Sequence, residues 1–218
     1  MTWSSQSKNF LLFNRDIPNK YVKLIHKAKT VAWDIETSGL DWQKDRIGIC
    51  QLYVIGKPVI VVKINHGIPK NLQSLLTNTS VKKIFHHAMF DLRFMSYYWK
   101  TIPQNVVCTK IAAHLLDKNN KIEHNLRFLL KHYLDINIEK KEVMRCSNWL
   151  CKKLTKEQIS YAINDVIYLP SLFSVLEKEL KTQNLLKLAY NCFKYIPTRV
   201  QLELSGWGDI YLYSKTLK

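Results

Sequence analysis

Apolar and polar positions in the first half of the chain follow the patterns of strands and helices. Apolar or β-branched runs bounded by turn residues predict strands over 10–13, 30–36, 47–55, 59–63 and 81–85. Helical spacing of apolar residues predicts helices over 21–28, 71–76 and 90–99. The turn Gly56-Lys57-Pro58 indicates a hairpin between the third and fourth strands. A strand followed by a hairpin predicts a mixed sheet rather than a run of parallel βαβ units.

The second half of the chain is almost wholly helical in pattern. Helices are predicted over 109–116, 122–133, 155–180 and 183–195. Thr155, followed three residues later by Gln158, predicts a capped start for the third of these helices. Pro170 predicts that the same helix kinks or divides near residues 168–169, because proline removes a helical hydrogen bond.

The chain is predicted to form one α/β domain, with a mixed central sheet flanked by helices and a helical C-terminal half. Its 218 residues suit one sizeable core, and 47% of them are hydrophobic. No internal repeat, low-complexity segment or Pro/Gly/Ser-rich linker divides the sequence. Residues 1–218 are therefore expected to be a single unit, with a tail from about 197 to 218.

Charge favours a polyanionic partner. The chain carries 33 Lys and Arg against 17 Asp and Glu, a formal net charge of +16, and its pI is about 9.6. An excess of this size makes nucleic acid the first candidate partner. The alternative is a composition rich in lysine throughout, which charge alone does not distinguish from nucleic-acid binding.

Cysteine use and hydropathy predict a soluble, cytoplasmic protein. The five cysteines form no Cys-x-x-Cys pair, and their scatter suits reduced thiols better than a disulfide framework. Cys146 and Cys151 lack a second Cys or His pair at zinc-finger spacing. No apolar run approaches the roughly 20 residues of a transmembrane helix, and the first residues do not resemble a signal peptide.

Four acids and one tyrosine are the candidate chemistry. Asp34 and Glu36 lie two apart at the end of a predicted strand, so their side chains share one face. Tyr161 and Asp165 lie four apart on a predicted helix and are neighbours there. Asp91 begins another helix. Taken singly, such residues also occur as turn caps, helix-dipole partners or boundary pairs.

Together the four acids predict a site for cutting phosphodiesters with two metal ions. Facing carboxylates repel each other unless a cation lies between them or one is protonated. Hard oxygen ligands select Mg²⁺ or Mn²⁺. Two such ions, about 3.5–4 Å apart, stabilise the attacking and leaving oxygens of an in-line displacement. A tyrosine with an ordinary pKa near 10 is a poor base at neutral pH, so Tyr161 is predicted to orient the attacking water and to relay a proton.

The motifs that carry these residues resemble a known family. DIETSGL, HHAMFD and YAIND are similar to the three exonuclease motifs of the DEDDy 3′–5′ exonucleases of the RNase D group. The segments between them follow the order of the RNase D catalytic domain. LLFNRDIP, FHHAMFD and IPTRVQLELSGWGDIYLYS more specifically resemble nano-RNase C, the compact branch. The helical HRDC-type domains of RNase D proper are expected to be absent.

This resemblance implies an RNase H-like (DnaQ-like) fold and a 3′–5′ exoribonuclease that releases nucleoside 5′-monophosphates. It implies two divalent ions, Mg²⁺ or Mn²⁺, and a ring-shaped homo-octamer that prefers short RNA, down to dinucleotides. The implied metal ligands and catalytic residues match the family motifs at Asp34, Glu36, Asp91, Asp165 and Tyr161.

The resemblance also suggests contacts to substrate. Leu40 matches a hydrophobic wedge between the last two bases, and a plain packing role is the alternative. Thr37, His87 and Trp149 are the further candidates, with Trp149 either stacking on a base or packing in the core. His87 departs from the aromatic or Asn that relatives often carry. The aromatic residues of the tail are candidates for an oligomer interface: Trp207, Tyr211 and Tyr213.

Three alternatives to this function remain open from the sequence. Two of them are enzymes: an RNase D-like trimmer of structured RNA 3′ ends, and an exonuclease acting on DNA. From another class, the chain could be a non-catalytic nucleic-acid-binding module. The complete set of acids disfavours that module, because carboxylates beside a phosphate backbone weaken binding unless metal ions offset them.

Overall fold

A mixed sheet of six strands forms the centre of the protein, as seen in a computed structural model that describes residues 9–64, 67–138 and 142–212. In chain order the strands are β1 (Phe10–Asn14), β2 (Thr30–Thr37), β3 (Ile47–Tyr53), β4 (Val59–Lys63), β5 (Lys82–Phe85) and β6 (Val106–Cys108). Their order in the sheet is β1-β4-β3-β2-β5-β6. Only the β2–β3 and β3–β4 pairs are antiparallel, which confirms the predicted mixed sheet and hairpin.

Helices cover the sheet and make up most of the C-terminal half. Within the described residues they are α1 (Asn19–Ala28), α2 (Lys70–Thr77), α3 (Ala88–Trp99), α4 (Thr109–Leu116), α5 (Leu126–Leu134), α6 (Glu142–Arg145), α7 (Lys156–Ile167), α8 (Leu169–Thr182) and α9 (Leu186–Leu204). The core includes a cluster of large rings in which Trp33 lies 6.2 Å from both Phe85 and Trp99, centroid to centroid.

In the part of the chain that the structure describes, the carboxyl end of β2 pairs with a neighbouring strand on one side only. β5 pairs with β2 only from Thr30 to Ala32, whereas β3 pairs with β2 as far as Thr37. Beyond Ala32 the edge of β2 that faces β5 therefore has no strand partner among the described residues. The helices α3, which follows β5, and α7, which packs against β2 and β3, are placed to fill this space.

The predicted cap and break in the long C-terminal helix are confirmed. The Thr155 side chain accepts from the backbone N–H of Gln158 at 3.1 Å, and the Gln158 side chain accepts from Thr155 N at 2.9 Å. α7 ends at Ile167 and α8 begins at Leu169, with Pro170 in its first turn. Residues 156–182 together are long and apolar enough to cross a membrane by composition. However, 56% of their apolar 18-residue window is buried inside the domain, and core helices of soluble proteins meet the same criterion.

Helix α5 starts later than its apolar pattern predicts. The prediction placed it over 122–133, but α5 begins at Leu126. The Asp117 carboxylate accepts hydrogen bonds from the backbone of Lys121 and Ile122, both at 2.9 Å, and so fixes a loop there. Asn125 then caps the helix by accepting from Phe128 N at 2.8 Å. The short elements β6 and α6 were not predicted.

The last helix is longer than predicted, so the expected start of the tail near residue 197 is wrong. α9 continues through Pro197 to Leu204. Proline removes the N–H that would bond to the carbonyl four residues earlier, but the buried stripe of the helix continues on both sides of it. That stripe consists of Ala189, Phe193, Ile196 and Val200. Residues 213–218, including Tyr213, lie outside the described part of the chain.

A buried lysine in β5 limits the stability of the fold at neutral pH. Lys83 is completely buried, and its amine donates to the backbone carbonyl of Asn78 at 2.5 Å. Burial lowers the pKa of Lys83 to about 7, whereas an unfolded lysine has a pKa near 10.4. Between these values the unfolded chain binds more protons than the folded one, so stability should rise with pH across this window.

Replacing Lys83 by methionine is expected to raise the free energy of unfolding by about 1–3 kcal/mol at pH 7, since burial of a charged amine is avoided. The gain should shrink by pH 9.5, because the wild-type lysine is then neutral when folded. Urea denaturation at both pH values measures this difference. Lys57→Met, on the exposed β3–β4 turn, is the control and should change stability equally at both pH values. A gain that grows with pH would contradict the argument.

Candidate active site

Three carboxylates converge where α7 crosses the end of β2. Asp34 and Glu36 share one face of β2, and α7 packs against that strand and brings Asp165 to them. Carboxylate oxygens of Asp34, Glu36 and Asp165 all lie within 4.8 Å of one another. Glu36 and Asp165 are buried and Asp34 is half-buried. Strand spacing predicted that Asp34 and Glu36 are neighbours, and helix spacing predicted the same of Tyr161 and Asp165. The fold brings these two pairs together.

Asp91 lies in the first turn of α3 and closes the open edge of β2. Its Oδ1 accepts from the backbone N–H of Ile35 at 3.1 Å. That N–H lies between the two acids of β2 and past the end of the β5 pairing, so the register of the sheet leaves it available. Burial, reinforced by the charge of Asp165, raises the pKa of Asp91 to about 8, although the hydrogen bonds from the backbone of Ile35 and Asp91 oppose the shift. A cation beside the carboxylate would restore its charged form.

The donor set of this cluster fits a hard divalent cation. Three carboxylates held this closely repel one another in a buried site, and bound cations remove that cost. Oxygen donors alone, with neither Cys nor His in the group, suit Mg²⁺ or Mn²⁺ rather than a softer metal. Asp34, Glu36 and Asp165 could hold such an ion together, and Asp91 lies beside them.

Tyr161 faces the cluster from α7 and is nearly completely buried. Burial, together with the charges of Asp165, Glu36 and Asp34, raises the pKa of Tyr161 well above its ordinary value. The raised pKa favours a protonated phenol at neutral pH, whose hydroxyl can donate a hydrogen bond.

Of the two roles predicted for Trp149, base stacking and core packing, the structure shows packing. Its side chain is completely buried, and its ring packs against that of Tyr161 with centroids 6.0 Å apart. The backbone of Trp149 also approaches β3 closely: a Cβ added to Gly48 would lie 2.4 Å from the Trp149 carbonyl oxygen. Only glycine admits this contact, so Gly48 allows the loop to press Trp149 onto Tyr161.

Gln158 fixes the loop that carries Trp149. Its side-chain amide donates to Ser147 Oγ at 2.9 Å and to the carbonyl of Asn148 at 3.1 Å, while its oxygen caps α7 at Thr155. The capping pattern predicted the last contact but not the first two. Gly48 and Gln158 were both missed as supports of the site, because each acts through a contact distant in sequence.

The loop after β2 presents Leu40 to solvent. The Leu40 side chain is 79% exposed. Thr37 donates to the carbonyl of Gly39 at 2.5 Å, and Asp45 accepts from Ser38 Oγ and from the backbone of Asp41. Thr37 therefore shapes the loop. The role of Leu40 as a wedge stays a prediction.

The two histidines before α3 lie differently. His86 Nδ1 is 2.9 Å from Thr109 Oγ1, which ties it to the start of α4. His87 is the N-cap residue of α3, and its ring stacks on Phe90 with centroids 6.3 Å apart. The protein atoms around its ring, and then the charges of Lys110 and Arg93, lower the pKa of His87. A neutral imidazole beside the site is thus expected at neutral pH, and its contact with substrate stays a prediction.

A cavity lies between the start of β3, the end of α3 and the loop that carries Trp149. Its volume is about 680 Å³, and its walls combine aromatic and apolar side chains with cations of the loop after β2, of β4 and of the Trp149 loop. Its lining includes Arg46, Lys63, Tyr98, Leu150 and Lys152. Ile47 in its wall pairs with Thr37 at the end of β2, but none of the four acids lines the cavity.

Comparison with known proteins identifies the family. The sequence pattern of the 3′–5′ exonuclease family matches residues 11–181. The chain belongs to the 3′–5′ exonuclease family. Among solved structures, this exonuclease is similar to Brucella melitensis NrnC bound to pGG, with 35% sequence identity, a TM-score of 0.87, and coverage of 95% of this chain and 100% of that chain. The expected compact nano-RNase C form of an RNase D-group exonuclease is thereby confirmed.

Curated ribonucleases D are more distant relatives of this exonuclease. Ribonuclease D of Haemophilus influenzae is 28% identical over 162 residues, which cover 72% of this chain and 38% of the relative. The chain thus spans well under half of that protein. The structure of Escherichia coli RNase D, 20% identical with a TM-score of 0.74 over 88% of this chain, shares the fold. The predicted RNase H-like fold is therefore confirmed.

Proposed function

We propose that this protein is a metal-dependent 3′–5′ exoribonuclease that releases nucleoside 5′-monophosphates from short RNA. The observation that carries the proposal is the cluster of Asp34, Glu36 and Asp165, with oxygens within 4.8 Å of one another, inside a 3′–5′ exonuclease fold. Buried carboxylates gathered at the open end of a sheet serve no purpose for a module that only binds polyanions.

The residues of the chain have distinct roles in this proposal. Asp34, Glu36, Asp91 and Asp165 hold two divalent ions, Mg²⁺ or Mn²⁺. When bound, such ions acidify the attacking water and neutralise the charge that develops on the leaving 3′-oxygen. Tyr161, protonated and fixed by Trp149, donates a hydrogen bond that orients the attacking water. Asp91 closes the site at Ile35 and keeps the acids in register.

Short RNA is the proposed substrate class. The related Brucella protein, which this chain covers completely, was solved bound to pGG. A net charge of +16 suits a phosphate backbone, and so do the cationic residues that line the cavity at the start of β3. The exposed Leu40 suits a wedge between bases at the 3′ end. Trimming of longer RNA is a second candidate, favoured by the identity to ribonuclease D.

Self-association belongs to the same proposal. Beyond α9 the chain exposes a run of large apolar side chains, which are Trp207, Ile210, Tyr211 and Leu212. A contiguous exposed patch of aromatic and aliphatic residues is typical of an interface between chains. We propose that it contributes to the ring-shaped homo-octamer implied by the resemblance to nano-RNase C.

The proposal is tested with 5′-labelled RNAs from two to about twenty nucleotides, incubated with Mg²⁺ or Mn²⁺ beside an Asp34→Ala control. We expect rapid loss of dinucleotides, slower cleavage of longer strands, and no cleavage by the control. Equal or faster trimming of long strands would favour the RNase D-like role. Absence of metal-dependent cleavage at every length would refute the enzymatic function and leave a binding module. Matching DNA strands test the choice of sugar.

A further inference from the structure

A buried glutamine contacts one of the four acids from the neighbouring strand. Gln51 lies on β3 directly across from Asp34 on β2. Its Nε2 donates to Asp34 Oδ2 at 3.2 Å, and the residue is completely buried. The β3 segment is otherwise apolar at its buried positions, so a glutamine there needs a reason.

The chemistry of the pair fixes the orientation of the amide. A carboxylate only accepts hydrogen bonds, so the NH₂ group of Gln51 must face Asp34 and the amide oxygen must face away. Among the described residues, no hydrogen-bond donor reaches that oxygen, Oε1, although it is buried. A fold selected for stability alone would not keep a half-satisfied amide in its central sheet, because an apolar side chain of the same shape avoids this cost.

We propose that Gln51 is a positioning residue that holds Asp34 in the orientation needed to bind a divalent ion. This inference rests on the proposed function and concerns the same site. Asp34 is the least buried of the three clustered acids, and its carboxylate can rotate about its terminal torsion. The hydrogen bond from Gln51 to Oδ2 restrains that rotation, so the carboxylate keeps one orientation relative to Glu36 and Asp165. Partners of metal ligands commonly act in this way.

Two variants of Gln51 and one neighbouring control separate positioning from packing. Gln51→Met keeps the length and volume of the side chain but removes the donor. Gln51→Asn keeps the amide but withdraws it by one methylene. Ile49→Val is the matched control, because Ile49 is buried on the same face of β3 and lies across from Glu36, but makes no hydrogen bond to an acid.

Calorimetric titration of each full-length, metal-free protein with Mn²⁺ is the deciding measurement. Both Gln51 variants are expected to bind Mn²⁺ about 10–100-fold more weakly than wild type. Ile49→Val should bind within about twofold of wild type, as expected for a residue that is not a partner of a ligand.

Activity and stability give two further readouts for the Gln51 variants. The Mn²⁺ concentration for half-maximal cleavage should shift by the same factor as their Mn²⁺ affinity, while KM for RNA at saturating Mn²⁺ stays constant. Thermal melting should show Gln51→Met to be at least as stable as wild type.

The outcomes distinguish the inference from the function on which it rests. Unchanged Mn²⁺ affinity in both Gln51 variants would overturn the positioning role while leaving the exonuclease proposal intact. An equal loss of affinity in Ile49→Val would also overturn it, since general packing would then explain the effect. A wild-type protein that binds no Mn²⁺ would refute the metal site itself, and the role of Gln51 with it.

Discussion

Replacing Asp165 by asparagine is expected to lower kcat/KM for short RNA by about a thousandfold or more. Divalent ions supply several kcal/mol of transition-state stabilisation, and each 1.4 kcal/mol corresponds to a factor of ten in rate. Asp165 shares the cluster with Asp34 and Glu36, all within 4.8 Å, and its charge also acts on Asp91. An amide at this position removes a ligand charge without changing the size of the side chain.

The same substitution should not weaken the metal-free fold. Removing one of several buried, mutually repelling carboxylates relieves electrostatic strain, so the melting temperature without metal should stay constant or rise. Asp135→Asn is the matched control, since Asp135 is exposed, pairs with Lys131 at the end of α5, and adopts a left-handed conformation that asparagine also favours. Full activity in Asp165→Asn, or an equal loss in Asp135→Asn, would contradict the assignment.

The positions of the acids along their elements could be predicted from sequence, but their meeting point could not. A strand places Asp34 and Glu36 on one face, and a helix places Tyr161 beside Asp165, whatever the tertiary fold. Their convergence depends on α7 packing across β2, which no local pattern encodes. The resemblance to the RNase D group supplied that information before the structure, and the fold it implied is confirmed.

Local sequence patterns could not predict the roles of residues that act through contacts distant in sequence. Gln51 meets Asp34 only through the register of β2 and β3, and Gly48 matters because the Trp149 backbone passes over it. For Trp149, residue type left base stacking and core packing open, and the structure buries its side chain against Tyr161. Its large ring serves the site by packing, which only the tertiary structure reveals.

The predicted boundaries of two helices were wrong for a similar reason. The late start of α5 depends on the Asp117 carboxylate bonding to two backbone N–H groups, and side-chain contacts of this kind override apolar periodicity. The end of α9 could have been predicted better. The apolar stripe of Phe193, Ile196 and Val200 runs past Pro197, and burial of that stripe outweighs the loss of one hydrogen bond.

Tyr161→Phe is expected to lower kcat by about a hundredfold, within the range for a lost proton-transfer or water-orienting group. KM for RNA should change by no more than about threefold, because the hydroxyl acts on the attacking water rather than on substrate binding. Phenylalanine keeps the ring that packs on Trp149, 6.0 Å away, so Mn²⁺ affinity and melting temperature should be close to those of wild type.

The pH dependence distinguishes an orienting hydroxyl from a base. Burial is the largest cause of the raised pKa of Tyr161, so the phenol should remain protonated from pH 6 to 9. The ratio of wild-type to Tyr161→Phe activity should then be constant over that range. A ratio that rises tenfold per pH unit would indicate that the phenolate acts as a base. Full activity in Tyr161→Phe, under conditions in which Asp165→Asn is inactive, would remove the tyrosine from the mechanism and leave the carboxylates and their ions to position the water alone.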